Sequence, residues 1–183
     1  MKRLVLALIL IFAACDNLFP PQDFEPTGSP FSLNTGISLI GIAGDRRHFS
    51  PNGLYTLEMV AKSAGSAFAY DTLPAGLLFT SRKNSTQHML MLKAHQITVG
   101  TSNTSLVLGV FCCNRHRLIP AEEDSFSLGP ITDNPDLRQL ADLVRNKRIA
   151  DDLGMIQRAV YLITDSTGLT QGYIDSINAL PSE

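Results

Sequence analysis

The sequence predicts an α+β fold: an antiparallel, Ig-like β-sandwich over residues 31–120, a loop over 121–133, and a C-terminal helical cap of about three helices over 134–183. Three observations lead there. Short apolar or alternating segments follow one another from Phe31 to Pro120, separated by turns rich in Gly, Pro, Asn and Ser, which is sandwich spacing. The last of them, Leu106 to Cys113, is apolar in both parities, so it belongs in the middle of the domain with cover on both faces. After Asn134 the apolar period lengthens from two to 3.6 residues, which provides helices as the second cover.

Taken in order, Ile37 to Ala43 is a short apolar run, closed by a turn-rich stretch ending at Ser50-Pro51-Asn52-Gly53. Tyr55, Leu57, Met59 and Ala61 alternate with polar residues as a half-buried strand does, although Leu54, Leu57, Ala61 and Phe68 also fit a helical period. Leu77 to Ser81 follows the turn Leu73-Pro74-Ala75-Gly76. Met89 to Val99 and Leu106 to Cys113 are further strands, divided by Gly100-Thr101-Ser102-Asn103. Asn134-Pro135 supplies an N-cap and first-turn pair for a helix carrying Leu137, Leu140, Ala141 and Val144. Asp151 or Asp152 caps a second helix whose apolar residues, Met155 to Ile163, cover most of its circumference, so it is buried. Thr170 opens a third, with Tyr173, Ile174, Ile177 and Leu180.

The N-terminus reads as an address. Lys2 and Arg3 precede the apolar run Leu4 to Phe12 and the small pair Ala13-Ala14, a signal peptide over residues 1–14. The run is far shorter than the roughly 20 residues that cross a bilayer. Phe12-Ala13-Ala14-Cys15 resembles a bacterial lipobox. The resemblance implies diacylglyceryl transfer to the Cys15 sulfur, cleavage before it, and acylation of the new amino terminus, with palmitate-like chains holding the protein at a membrane. A plain secretion signal with an incidental Cys15 is the alternative. Residues 15–30, the lipidated Cys and Pro20, Pro21, Pro26 and Pro30 with scattered acids, read as an extended tether. At ~3.1 Å per residue such a tether reaches roughly 45 Å.

The whole chain of 183 residues is 44% hydrophobic and 17% charged, enough apolar content for a real core and too much for global disorder. Loss of residues 1–14 removes Lys2 and Arg3, leaving 13 basic against 17 acidic side chains, a charge near -4. That balance carries no electrostatic footprint for nucleic acid.

Once Cys15 takes lipid, Cys112 and Cys113 are the remaining thiols. Neighbours in a strand point to opposite faces, so they close an ordinary disulfide only across a distorted turn; two inert core residues are the plainer reading, and a vicinal or intermolecular disulfide is the alternative. Phe111-Cys112-Cys113 also resembles the aromatic-Cys-hydrophobic signature of bacterial thioester domains, and Ile156-Gln157-Arg158-Ala159-Val160-Tyr161 resembles their Gln-containing second signature. The resemblance implies an internal thioester between Cys112 and Gln157, opened by an amine on a binding partner to leave a covalent bond. Such chemistry needs the sulfur fixed against the amide carbon and the acyl group kept from water. The alternative for Gln157 is a core side chain hydrogen-bonded to backbone.

Other patterns are weaker. Asn114 and His116 share the parity of Cys112, but His116 lies roughly 13 Å along a strand from it, too far for a hydrolase dyad unless the chain turns sharply. His48, His88 and His95 are isolated and make no zinc-ligand set, so no metal and no cofactor is expected. Arg115, His116 and Arg117 with Glu122, Glu123 and Asp124 read as solvated surface ion pairs. No P-loop, dinucleotide fingerprint or GxSxG elbow occurs. The expectation is a membrane-anchored, extracytoplasmic bacterial lipoprotein, facing the cell surface or the periplasm, that serves adhesion through a thioester. The alternative is a non-covalent structural or partner-binding lipoprotein with two buried cysteines.

Overall fold

The computed structural model describes residues 23–165 and 168–183. The signal peptide, Cys15 and the tether as far as residue 22 lie outside the described residues. The rest forms a mostly antiparallel sheet structure with helices at its C-terminal end, an α+β, sandwich-like fold.

In chain order the strands are β1 (Gly28–Ser29), β2 (Ile37–Asp45), β3 (Tyr55–Ser63), β4 (Ala69–Leu73) and β5 (Leu77–Ser81). There follow β6 (Met89–Met91), β7 (His95–Val99), β8 (Thr104–Cys112) and β9 (Phe126–Thr132). Seven of them run β1-β9-β5-β6-β8-β3-β2 in one sheet, and β4 pairs with β7 in a two-stranded ribbon. The large sheet curls until its β2 edge reaches β9: Ala43 bridges Ser125, and the Gly44 amide donates to the Asp124 carbonyl at 2.9 Å.

Curling gives the sheet an inside and an outside. Leu57, Met59, Leu77, Phe79, Met89, Leu108, Val110 and Cys112 fill the inside. The opposite parity, with Leu78, Leu90, Phe111 and Cys113, faces outward beneath the helices. Thus β8 contributes to two cores at once, which is what its two-sided apolar pattern requires. Each large side chain so buried contributes about 1.5–3 kcal/mol, so the sheet and its helical cover stabilise one another.

The helices start where their caps stand. The Asn134 side chain accepts from the amides of Asp136 and Leu137 at 3.0 and 3.1 Å, opening α1 (Pro135–Val144). A 3-10 turn (Ile149–Asp152) leads into α2 (Leu153–Asp165), where Asp152 accepts from the Met155 amide at 2.8 Å. Thr170 precedes α3 (Gln171–Asn178) without a side-chain cap bond.

Four segments differ from expectation. The 121–133 loop contains β9, whose Gly129-Pro130 looks like a turn but forms a bulge: Leu77 pairs with Ile131 while Phe79 pairs with Leu128. A Cβ on Gly129 would lie 2.8 Å from the Leu78 carbonyl oxygen, so glycine is what the bulge admits. The Met89 to Val99 run is two strands in different sheets, because the chain turns at Lys93, whose buried ammonium donates to the Lys147 carbonyl at 3.0 Å. Ala69–Leu73 pairs as β4, a strand too polar on its outer parity to stand out as an apolar run. Residues 23–30, expected as free tether, lie against the domain: Gly28 and Ser29 pair with Thr132 and Ile131, and Phe24 packs on the helical core. Backbone pairing and one aromatic contact hold this stretch, neither of which needs a period in the sequence.

Candidate functional site: the Cys112–Gln157 contact and the adjoining cleft

The site arises where β8 outlasts its neighbour. On one side β8 pairs with β6, and the Cys113 amide donates to the His88 carbonyl at 2.9 Å. Alternation along a strand then directs the Cys112 N–H and C=O to the other side, toward β3. Pairing with β3 ends at Tyr55 opposite Val110. The preceding Gly53 crowds the Val110 amide so closely that a Cβ would overlap it, and the chain turns away there. Two backbone groups of Cys112 are therefore left with no strand to bond.

Gln157 takes the place of that strand. Its carboxamide oxygen accepts from the Cys112 amide at 2.9 Å, and its Nε2 donates to the Cys112 carbonyl at 2.8 Å. Both residues are buried, with Gln157 only 4% exposed. Helix α2 provides the side chain from the same face that carries Tyr161, one turn on. The two residues the sequence singled out thus meet, and the contact runs between the carboxamide and the main chain of Cys112.

The two thiols go to different places. Cys112 joins the inner core and Cys113 the outer one, and both are free. Burial pushes the Cys112 thiol up to about 12, opposed only by the Tyr161 hydroxyl hydrogen-bonded to it. Burial also raises Cys113 well above the ordinary value, and the neighbouring Cys112 adds to it. Tyr161 donates to Gln87 Oε1 at 3.2 Å, and its own hydroxyl is raised by burial and then by Cys112. Tyr55, the other phenol facing Cys112, is likewise raised by burial. These phenols hold their protons more tightly than usual, so neither serves as a base for the thiol. Among the described residues no three His, Cys, Asp or Glu side chains gather as a metal site.

Beyond Tyr161 the surface opens into a cleft of about 640 Å³ lined by Arg46, Lys83, Gln87, Arg117, Leu118 and Tyr161 among others. Its ion pairs are not those expected between 115–117 and 122–124. Arg117 donates to Asp23 at 2.8 Å, and His116 also contacts that carboxylate. Asp124 is buried and accepts from the Ala121 amide at 2.9 Å and from Thr86 at 3.2 Å, with Lys83 at 2.5 Å. Those bonds hold Asp124 below the usual carboxylate range, although burial, the largest single influence, pulls the other way. Beneath lies Asn114, which accepts from the His88 amide at 3.2 Å and donates to the Phe24 carbonyl at 3.0 Å. Gln87, which joins Tyr161 to the Asn114 amide, carries no signal in the sequence because its partners are 27 and 74 positions away. No protein-family model, no curated protein and no solved structure matches this chain.

Proposed function

We propose that this chain is a membrane-anchored, extracytoplasmic lipoprotein whose domain is a non-covalent attachment or partner-binding module. The observation that carries the non-covalent part is the pair of bonds between Gln157 and the Cys112 backbone. It gives a buried glutamine a complete structural reason to be there, and leaves the Cys112 thiol buried with its proton tightly held, a poor nucleophile. The lipobox-like run ending at Cys15 supports the anchor. Phe49, before β3, and Phe68 and Tyr70, beside and on β4, are 75%, 67% and 64% exposed, aromatic side chains suited to anchoring a protein partner. An immunoglobulin-like form of the sandwich belongs to the same proposal, and the antiparallel pairing of the named strands supports it.

One observation favours a second reading. The Gln157 carboxamide and Cys112 lie side by side and shielded from water, which is the setting an internal thioester needs. In that reading the Cys112 sulfur bonds the Gln157 amide carbon, the C–N bond breaks, and ammonia leaves with the thiol proton. The carboxamide would first give up both backbone bonds.

Intact mass separates the two. The non-covalent module has its full sequence mass and two thiols that titrate only after unfolding. A chain lighter by one ammonia, which methylamine converts to one heavier than the sequence by a single methylene, with the deficit kept in Cys113→Ala and lost in Cys112→Ala, would establish the thioester instead. In the same cells, fatty-acid labelling lost in Cys15→Ala tests the anchor.

A further inference from the structure

We infer that the end of the domain carrying Leu118 and Ile119 seats on the phospholipid surface to which the chain is anchored, with these two side chains entering the interface. The inference rests on the lipid anchor proposed above.

Topology defines the end in question. Asp45 pairs with Thr56, Met89 with Cys112, and Ser81 with Phe126, so the connections 46–54, 82–88 and 113–125 all emerge at one end of the curled sheet. The β7–β8 turn and the segment before β4 lie at the other, where Gly100 approaches the Phe68 ring and bonds the Ser63 amide at 2.6 Å. The described chain enters at the first end: Asp23 pairs with His116 and Arg117, and Asn114 bonds the Phe24 carbonyl. From there it runs to β1, which pairs with the last residues of β9. Cys15 stands eight residues before Asp23, a reach of at most roughly 29 Å. An acylated Cys15 therefore holds this end, rather than the Phe68 end, close to the bilayer.

That end displays apolar side chains on a rigid backbone. The Leu118 amide donates to the Ser85 carbonyl at 2.8 Å, and its carbonyl accepts from Gln87 at 3.0 Å. Yet its side chain is 68% exposed and that of Ile119 46%. These backbone bonds fix the loop at Leu118 in the position that presents its side chain to solvent. Arg115, exposed just before them, can lay its stem along the acyl boundary with its guanidinium among phosphates, while Arg117 and His116 are held by Asp23. Asp23 pairs with His116 and Arg117, Asp124 with Lys83 and Glu122 with Arg47, so the charges at this end largely cancel and the seating draws on apolar insertion and the acyl chains.

The chain has no Trp, so a single substitution reports on its own position. Leu118→Trp, expressed from the whole sequence, is reconstituted in phosphatidylethanolamine–phosphatidylglycerol vesicles containing phosphatidylcholine brominated on its acyl chains. The expected result is blue-shifted emission quenched by the bromine, with Phe68→Trp, in the same vesicles, neither shifted nor quenched. Floating protein whose Leu118→Trp emission stays water-like overturns the seating and leaves Leu118 and Ile119 to a protein partner. Quenching of Phe68→Trp instead overturns it by reversing the orientation. Protein that fails to float, with an unmodified Cys15 peptide by mass, refutes the anchor and the seating with it.

Discussion

Gln157 and Cys112 are joined by a closed pair of hydrogen bonds, carboxamide oxygen to amide at 2.9 Å and carboxamide nitrogen to carbonyl at 2.8 Å, so one side chain on α2 completes the edge that β3 leaves open. A helix is thereby registered against a strand 45 positions away in the chain. The contact ties the helical cover to the sheet by more than apolar packing.

Replacing Gln157 with Ala strands a buried N–H and a buried C=O together. Each unsatisfied group costs about 1–3 kcal/mol, so Gln157→Ala is expected to lose roughly 3 kcal/mol in denaturant unfolding. Arg158→Ala, exposed on the next position of the helix, should stay within about 0.5 kcal/mol. Equal losses at the two positions would show that the paired bonds contribute nothing.

The thiols set an alkaline limit on stability. Both have folded values raised above the ordinary 9.0, Cys112 to about 12. Their stabilisation is complete below the unfolded value and is lost as pH rises through the interval up to the folded one. Each pH unit within it withdraws up to about 1.4 kcal/mol per thiol. Unfolding curves measured upward from pH 9 should show a falling midpoint, with a shallower slope in Cys113→Ala. A midpoint independent of pH over that range contradicts the burial of these thiols.

His88 acts in the other direction. Burial lowers it first, and the Arg117 guanidinium, 3.1 Å from Nε2, lowers it further, while Asp23 and Glu25 oppose. Its Nδ1 accepts from the Ser81 amide at 3.0 Å, which requires that nitrogen unprotonated. The unfolded imidazole takes up a proton near 6.5 and the folded one resists, so stability present above 6.5 is lost as pH falls below it. His88→Gln should flatten the decline in unfolding midpoint between neutral and mildly acidic pH, leaving the part due to His95, also lowered by burial. An unchanged slope would mean that His88 titrates normally.

Much of this fold was legible locally. The period of two in Leu57, Met59 and Ala61 prevailed over the competing helical reading, because all three are wholly buried on one face of β3. Asn134-Pro135 marked a helix start by chemistry that acts within four residues. By contrast β9 was obscured, since Gly129-Pro130 is a turn signal unless a partner strand absorbs it as a bulge. Cys112 and Gln157 were recognisable as a pair of interest, but the sequence could not tell a bond to sulfur from bonds to backbone. That depended on the β3 pairing stopping at Tyr55 and Val110, two residues short of Cys112, where Gly53 lies against Gly109 and Val110.

By itself, then, the sequence determined the strand-then-helix order, the two-sided apolar β8 and the Asn134 and Asp152 caps, all set by neighbours in the chain or by simple periodicity. Tertiary structure alone decided that the sheet curls until β2 meets β9, that Asp23 and Phe24 dock on the loop after β8, and that Leu118 is held outward. Those outcomes rest on hydrogen bonds and burial between segments tens of residues apart, where a partner's position, and not the residue type, selects the contact.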